Sequence, residues 1–151
     1  MSDVERIREE GRLWVMRQRF WLFGTATYVD GSTVSFEDAD KNGRRFFNAL
    51  DRSLLNRQQL STGTRLPRLV FAERGRLRIN THIHFFIKGF DFRQYHTITA
   101  EAERLWPLLI DGAADLVMKD NVASNAERAG YCWKEVWGKQ CDVLLPSCCY
   151  L

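Results

Sequence analysis

Two histidines stand one residue apart in the apolar segment NTHIHFFIKG, residues 80–89, of a chain that contains only three histidines. Its β-branched and aromatic residues predict a β-strand. Side chains alternate between the faces of a strand, so His82 and His84 would share one face, about 7 Å apart along the backbone, while Ile83 and Phe85 would share the other. Two imidazoles at this spacing can reach one divalent cation, and the pattern therefore predicts part of a metal centre.

A metal centre needs at least one more protein ligand. Glu73, near the end of the preceding predicted strand RLVFAER, is the nearest candidate, and a carboxylate with two imidazoles suits Mg²⁺ or Mn²⁺ acting on phosphate. A two-residue turn at residues 75–76 would pair Glu73 with Arg78 and leave it about 13 Å short of His82. Only a wider connection through residues 74–81 brings Glu73 to the histidines. The alternative is a hydrogen-bonded histidine pair on a half-exposed strand.

A later segment, NAERAGYCWKEVW at residues 125–137, predicts a helix with a tyrosine and a lysine on one side. The predicted apolar stripe of this helix consists of Val122, Ala126, Ala129, Trp133, Val136 and Trp137. Tyr131 lies opposite the centre of that stripe, and Lys134 shares its side. A tyrosine oxygen can attack phosphorus when a neighbouring cation and a metal offset its pKa, ordinarily near ~10. The alternative is an exposed tyrosine beside an exposed lysine.

Taken in order, these elements resemble the HUH endonucleases, and within them the single-tyrosine replication initiators (Rep) with a Y-x-x-K motif. The resemblance rests on His82-Ile83-His84 after the strand that carries Glu73, and on Tyr131-Cys132-Trp133-Lys134 in the later helix. The upstream strand FWLFGTATY is also similar to the aromatic, threonine-rich first motif of that family. The resemblance extends from about residue 20 to residue 137.

The resemblance implies metal-dependent, site-specific nicking and joining of single-stranded DNA, which initiates rolling-circle replication. It implies that Glu73, His82 and His84 bind Mg²⁺ or Mn²⁺. Tyr131 would attack the scissile phosphate, leaving a 5′-phosphotyrosine link and a free 3′-hydroxyl, while Lys134 positions and neutralises the phosphate. The implied partners are single-stranded DNA at an origin or hairpin and a host polymerase. Because no G-x-x-x-x-G-K-[ST] loop occurs, a host helicase is expected as well.

The positive charge of the chain comes mostly from arginine, although the net charge is only +3. Arginine suits phosphate better than lysine does because its guanidinium makes two parallel hydrogen bonds. Arg74, Arg76 and Arg78 flank the predicted metal centre and are the first candidates for DNA contact. Under the resemblance, Thr25 and Thr27 of the upstream strand join them.

The elements that must position these residues alternate between helix and strand without a repeat or linker. The chain has 151 residues and 45% hydrophobic content, which is enough for one compact domain. We therefore expect a single domain, residues 1–151, with no helicase domain. The element order predicts an α+β sandwich. The resemblance implies a central antiparallel sheet with flanking helices, of the HUH/Rep nuclease type and related to the ferredoxin and RRM sandwiches. Helices are predicted at residues 3–18, 36–56, 100–110 and 122–137, and strands around residues 19–29, 68–74, 79–88 and 114–120. The tail CDVLLPSCCYL is either a final strand or a docking segment.

Composition limits the cellular setting. No stretch approaches the ~20 apolar residues of a membrane span, and the charged N-terminus is unlike a secretion signal. All four cysteines lie in the last 20 residues without C-x-x-C spacing, so we expect reduced thiols, no cysteine zinc site, and packing as the role of Cys132. The expectation is a soluble, intracellular protein in the cytoplasm of a bacterial host, with no membrane partner and no small-molecule cofactor.

Two other functions remain open from the sequence. An HUH transposase of insertion-sequence type would use the same chemistry, although the lysine after Tyr131 favours the replication branch. A non-catalytic nucleic-acid-binding module would stack bases on sheet aromatics and bind phosphate with arginine. A requirement for metal distinguishes this module from the nuclease. His96 is predicted to lie in a loop or at a helix start and not to bind metal.

Overall fold

A computed structural model describes residues 1–75, 79–121, 125–133 and 143–151 of the chain. The helices are α1 (Asp3–Arg17), α2 (Phe36–Leu54), α3 (Arg57–Ser61), α4 (Tyr95–Leu109) and α5 (Asn125–Trp133). The strands are β1 (Leu22–Tyr28), β2 (Arg68–Glu73), β3 (His82–Ile87), β4 (Ala113–Asp120) and β5 (Val143–Leu144). No helix among the described residues is both long and apolar enough to cross a membrane.

The strands form one sheet in the order β4-β1-β3-β2-β5, and every pairing in it is antiparallel. This confirms the predicted α+β class with a central antiparallel sheet and flanking helices. β3 lies between β1 and β2, and its residues 83–87 have a partner on both sides, whereas His82 has its partner on β2. The strand that carries both histidines is therefore the central strand of the sheet.

One face of the sheet packs against α2 and α4 and forms the larger core. Helix α2 begins with a capping box, in which the Ser35 and Asp38 side chains each accept a backbone N–H of the other residue. Its buried Phe47 meets Phe85 of β3 edge to face, and the buried Phe46 ring lies tilted against the same ring. Gly24 of β1 provides the space for this packing, because a Cβ there would lie 2.2 Å from the Phe85 ring. This core fixes Ile83, Phe85 and Ile87 inward and so directs the histidines to the other face.

Helices α1 and α5 cover the second face. Its buried side chains are Val15, Phe20, Phe23, Leu69, Phe71, Phe86, Ala129 and Cys132. The burial of Cys132 confirms its predicted packing role. The predicted stripe of α5 is wrong at Ala126, which is exposed. Ala129 is buried as predicted, and the face that contacts the sheet continues through Cys132, whose thiol behaves as a small apolar group. Val122, Val136 and Trp137 lie outside the described residues.

The C-terminal tail acts as both of the alternatives that the sequence left open. β5 pairs with β2 at the sheet edge, and Arg68 pairs with Tyr150. Arg68 is buried, and its guanidinium donates to both carboxylate oxygens of Asp51 at 2.9 Å and to the carbonyl of Cys148 at 2.8 Å. Cys148 and Cys149 are free thiols, as predicted. The tail is thus both a final strand and a docked segment.

Helix α4 is longer than the sequence indicates. It begins at Tyr95, five residues before the predicted start at Ala100. The five residues that the prediction left out, YHTIT at residues 95–99, include two threonines and an isoleucine, whose β-branched side chains weaken a helix prediction. Packing of the buried Ile98 against the core outweighs this preference. His96 lies in the first turn of α4, which confirms its prediction as a helix-start residue.

Candidate metal centre

The register between β2 and β3 brings Glu73 directly opposite His82. The connection from residue 74 to residue 81 is therefore the wide one that the metal prediction required. It is closed where the Asn80 N–H donates to the carbonyl of Arg74 at 2.9 Å. Gly75 has φ +73°, a left-handed conformation that glycine adopts without strain. The predicted carboxylate thus joins the two histidines.

Three ligand atoms form a nearly equilateral triangle. The Oε2 atom of Glu73 lies 3.1 Å from Nε2 of His82 and 2.9 Å from Nε2 of His84, and the two nitrogens lie 3.1 Å apart. Glu73 and His84 are buried, and His82 is partly exposed. Atoms that all carry lone pairs come this close only when protons or a cation lie between them. The arrangement can hold a metal ion.

The size of the triangle fits an octahedral cation. With bonds of about 2.1 Å, two ligands at a right angle lie about 3.0 Å apart. The observed distances of 2.9–3.1 Å match one triangular face of such an octahedron. The opposite three positions would then face away from the protein ligands. One carboxylate with two imidazoles suits Mn²⁺ well and Mg²⁺ acceptably, and both ions were predicted from the sequence.

Outer contacts hold both imidazoles with Nε2 towards the centre of the triangle. Nδ1 of His82 lies 3.0 Å from the carbonyl oxygen of Asn80, which can only accept, so this nitrogen is the donor. Nδ1 of His84 lies 3.0 Å from Oγ1 of Thr25, its cross-strand neighbour. Hydrogen bonds of this kind fix the tautomer that a metal requires. Phe23 stacks on the His84 ring at 5.3 Å and restricts its tilt.

The charge of Glu73 matches the role of a ligand. Burial by itself would raise the pKa of this carboxyl, but hydrogen bonds with His82 and His84 outweigh burial and hold the pKa well below its ordinary value. The carboxylate is therefore ionised at neutral pH. It supplies the negative charge that a divalent cation needs, since the two imidazoles are neutral when they bind metal.

Helix α5 lies over the same face of the sheet as the metal centre, and Tyr131 belongs to this helix. Arg128, three residues before Tyr131, places its guanidinium 5.4 Å from the centre of the Phe23 ring, the ring that stacks on His84. Arg128 also donates to the backbone carbonyl of Asp120. The sequence analysis missed Arg128, because only the packing of α5 on Phe23 reveals that it is near the metal centre.

The structure describes three of the residues that were predicted to contact DNA, namely Arg74, Thr25 and Thr27. Arg74 follows Glu73 and is exposed, and the hydroxyl of Thr27 bonds the backbone of Asp115 on β4. Thr25 lies beside the metal centre, as its contact with His84 shows. Arg76, Arg78 and Lys134 lie outside the described residues.

Sequence reasoning also missed Phe23 and the carbonyl of Asn80. Phe23 could have been found, because it is two residues from Thr25 on the same face of a predicted strand. The Asn80 carbonyl carries no side-chain signal.

No protein-family model, curated protein sequence or solved structure matches this chain. The centre is therefore interpreted from its own geometry.

Proposed function

We propose that this protein is a metal-dependent, site-specific nicking and joining enzyme for single-stranded DNA, of the HUH replication-initiator type, that starts rolling-circle replication. The observation that carries the proposal is the triangle of Glu73, His82 and His84, which lies on the sheet face that α5 covers. A centre with three protein ligands leaves positions for substrate, as a catalytic metal requires. A purely structural site would be closed.

The residues of the chain would divide the reaction between them. Glu73, His82 and His84 would hold Mg²⁺ or Mn²⁺, which when bound polarises the phosphoryl oxygens. The phenol oxygen of Tyr131 would form a bond to phosphorus as the bond from phosphorus to the 3′ oxygen breaks. The phenol releases one proton and the 3′ oxygen takes one up, so atoms and charge balance. The free 3′-hydroxyl primes a polymerase or attacks the phosphotyrosine in reverse, which reseals the strand.

Fixed positive charge on this face supports a phosphate substrate. The Arg128 guanidinium is held over Phe23, whose ring packs on a proposed metal ligand. A guanidinium held in this way loses little freedom when it binds a phosphate oxygen. Lys134, three residues after Tyr131 in the sequence, would add a second cation.

The test is formation of a covalent protein–DNA adduct. The protein is incubated with single-stranded stem-loops whose loop sequences are fully randomised, in Mn²⁺ or in EDTA, and resolved on a denaturing gel. We expect an adduct in Mn²⁺ that is absent in EDTA, in Tyr131→Phe and in His84→Ala. Tyr95→Phe is the matched control, because Tyr95 lies in α4 on the opposite side of the sheet, and its hydroxyl donates to Asp120 at 3.0 Å.

Two results would contradict the proposal. An adduct of unchanged yield in Tyr131→Phe would show that another residue is the nucleophile. DNA binding on a native gel without any adduct would favour the non-catalytic nucleic-acid-binding module. Sequencing of the attached strands identifies the target and separates an origin from a transposon end.

A further inference from the structure

A cavity of about 230 Å³ opens beside the metal centre, at the same end of the sheet. Residues 31–35, which follow β1, form one wall, and Arg74, Ile79 and Thr81 form the other. Arg74 and Thr81 are the chain neighbours of Glu73 and His82, so the cavity begins one residue, about 3.8 Å of backbone, from two of the proposed metal ligands. The side chains of Arg74 and Thr81 alternate to the other face of the sheet, where Arg74 contacts Phe36 of α2. A DNA strand that reaches both the metal centre and the cavity would therefore pass around this end of the sheet.

The walls of the cavity are held together before any ligand binds. The Thr81 N–H donates to the carbonyl of Gly31 at 3.1 Å, and the Thr81 hydroxyl donates to the carbonyl of Val34 at 2.7 Å. Gly31 packs so closely that a Cβ there would lie 2.2 Å from the side-chain oxygen of Asn80. These contacts cross between the two walls and make the cavity a preformed feature, as ligand pockets usually are.

Arg74 gives the second wall of the cavity a positive charge. Its guanidinium lies over the Phe36 ring at 4.7 Å, a contact that orients the group and leaves its N–H edge accessible. Among the residues that the structure describes, Arg74 has no acidic ion-pair partner. An oriented guanidinium without a carboxylate suits a phosphate.

The wall that residues 31–35 form presents hydrogen-bond acceptors. The Ser32 hydroxyl donates to the Asp30 carboxylate at 2.5 Å, and the Thr33 hydroxyl donates to the Asp30 carbonyl at 3.0 Å. Because both protons are committed, the two hydroxyl oxygens can only accept from a ligand. The Asp30 carboxylate, which accepts from Ser32, also repels phosphate from this wall. Ile79, which is 61% exposed, adds an apolar surface against which a planar ring can lie.

We propose that this cavity binds one nucleotide of the DNA strand, with its phosphate on Arg74 and an amino-bearing base against Ser32 and Thr33. The proposal rests on the proposed nicking function in one respect, namely that the nucleotide belongs to the strand held at the metal. The cavity is smaller than the ~300–1,000 Å³ of pockets for drug-sized ligands, which suits a single nucleotide. It gives the protein a means of reading a base near the scissile phosphate.

The experiment is a titration followed by the backbone amide signals of the isotope-labelled chain in EDTA. The probes are dCMP, dUMP, deoxycytidine and inorganic phosphate. The first two differ in the amino group, and the last two each supply half of the ligand. We expect dCMP to shift the amides of residues 31–35, 74 and 79–81, and dUMP to bind about three- to tenfold more weakly. Arg74→Ala should weaken dCMP binding by about 10–100-fold. Arg44→Ala is the control, because Arg44 is an exposed arginine paired with Asp40.

Unchanged dCMP affinity in Arg74→Ala, equal affinities for dCMP and dUMP, or phosphate binding as tightly as dCMP would each overturn the proposal. The titration needs neither metal nor Tyr131, so its result is separate from adduct formation. If the chain binds dCMP here but never forms an adduct, the nucleotide-binding proposal is supported and the nicking proposal is refuted. If the chain forms the adduct but none of these amide signals shifts, the nicking proposal is supported and the nucleotide-binding proposal is refuted.

Discussion

Thr25 offers the sharpest test of the metal centre, because it touches a proposed ligand without binding the metal. Its hydroxyl lies 3.0 Å from Nδ1 of His84. A metal on Nε2 requires the proton on Nδ1, and Thr25 is then the acceptor for that proton. Thr25→Val keeps the shape and β-branching of the side chain and removes the acceptor.

The expected loss follows from the burial of His84, whose side chain is 8% exposed. Without Thr25, the Nδ1 proton lacks this acceptor, and a buried donor left without one costs about 1–3 kcal/mol. The imidazole can avoid part of this cost by moving the proton to Nε2, which then cannot bind metal. Removal of such outer contacts lowers metal affinity by about 10–100-fold, or roughly 1.4–2.7 kcal/mol.

Calorimetric titration with Mn²⁺, well below the unfolding temperature, measures this loss. We expect Thr25→Val to bind Mn²⁺ at least ~10-fold more weakly than the wild type and Thr25→Ser to bind nearly normally. Thr27→Val is the matched control, since Thr27 is also partly buried, but its hydroxyl bonds the backbone of Asp115. Equal Mn²⁺ affinity in Thr25→Val and the wild type, or an equal loss in Thr27→Val, would refute the assignment of Nδ1 as the donor.

Three further predictions concern stability. Mn²⁺ at a hundred times its Kd should raise the free energy of unfolding by about 2.7 kcal/mol and the unfolding temperature by about 5–10 °C in scanning calorimetry. The same increase in Glu73→Gln would show that the metal binds elsewhere. Asp51→Ala should lower the free energy of unfolding in urea by about 3–5 kcal/mol, because it leaves the charge of Arg68 buried; a loss under ~1 kcal/mol, typical of a surface pair, would contradict this reasoning. Burial raises the pKa of Cys148 from 9.0 to about 12 and that of Tyr28 from 10.0 to about 12. The folded chain then keeps protons that the unfolded chain loses, so stability should fall as pH rises from about 9 towards 12, with a shallower fall in Cys148→Ala; a stability that is constant over this range would show that neither group is protected.

The sequence could predict which faces of the strands carry the chemistry, because alternation is a local property. In β3 the aliphatic and aromatic residues Ile83, Phe85 and Ile87 mark the core face, so the histidines had to share the other. The position of Glu73 could be predicted only conditionally. Its distance from His82 depends on the conformation of the connection from residue 74 to residue 81, which side-chain pattern does not specify.

Interactions between distant segments could not be predicted. Asp51 reads as a surface charge of an amphipathic helix, and Arg68 reads as a charge at the start of a strand. Only the docking of the C-terminal tail, where the Cys148 carbonyl accepts from Arg68, encloses both charges. Arg128 was missed for the same reason, because its contact with Phe23 depends on how α5 packs on the sheet.

The metal centre depends on the register of β2 against β3 as well as on which residues the strands carry. Glu73 faces His82 across the strand pair, and Phe71 faces His84. A slip of one residue would turn the Glu73 carboxylate to the core face, where it would be buried without the imidazoles. The aromatic contacts of Phe85 with α2 and the pairing of the C-terminal tail with β2 both oppose such a slip. The larger core and the tail, which touch no ligand, therefore determine whether the three ligand atoms meet.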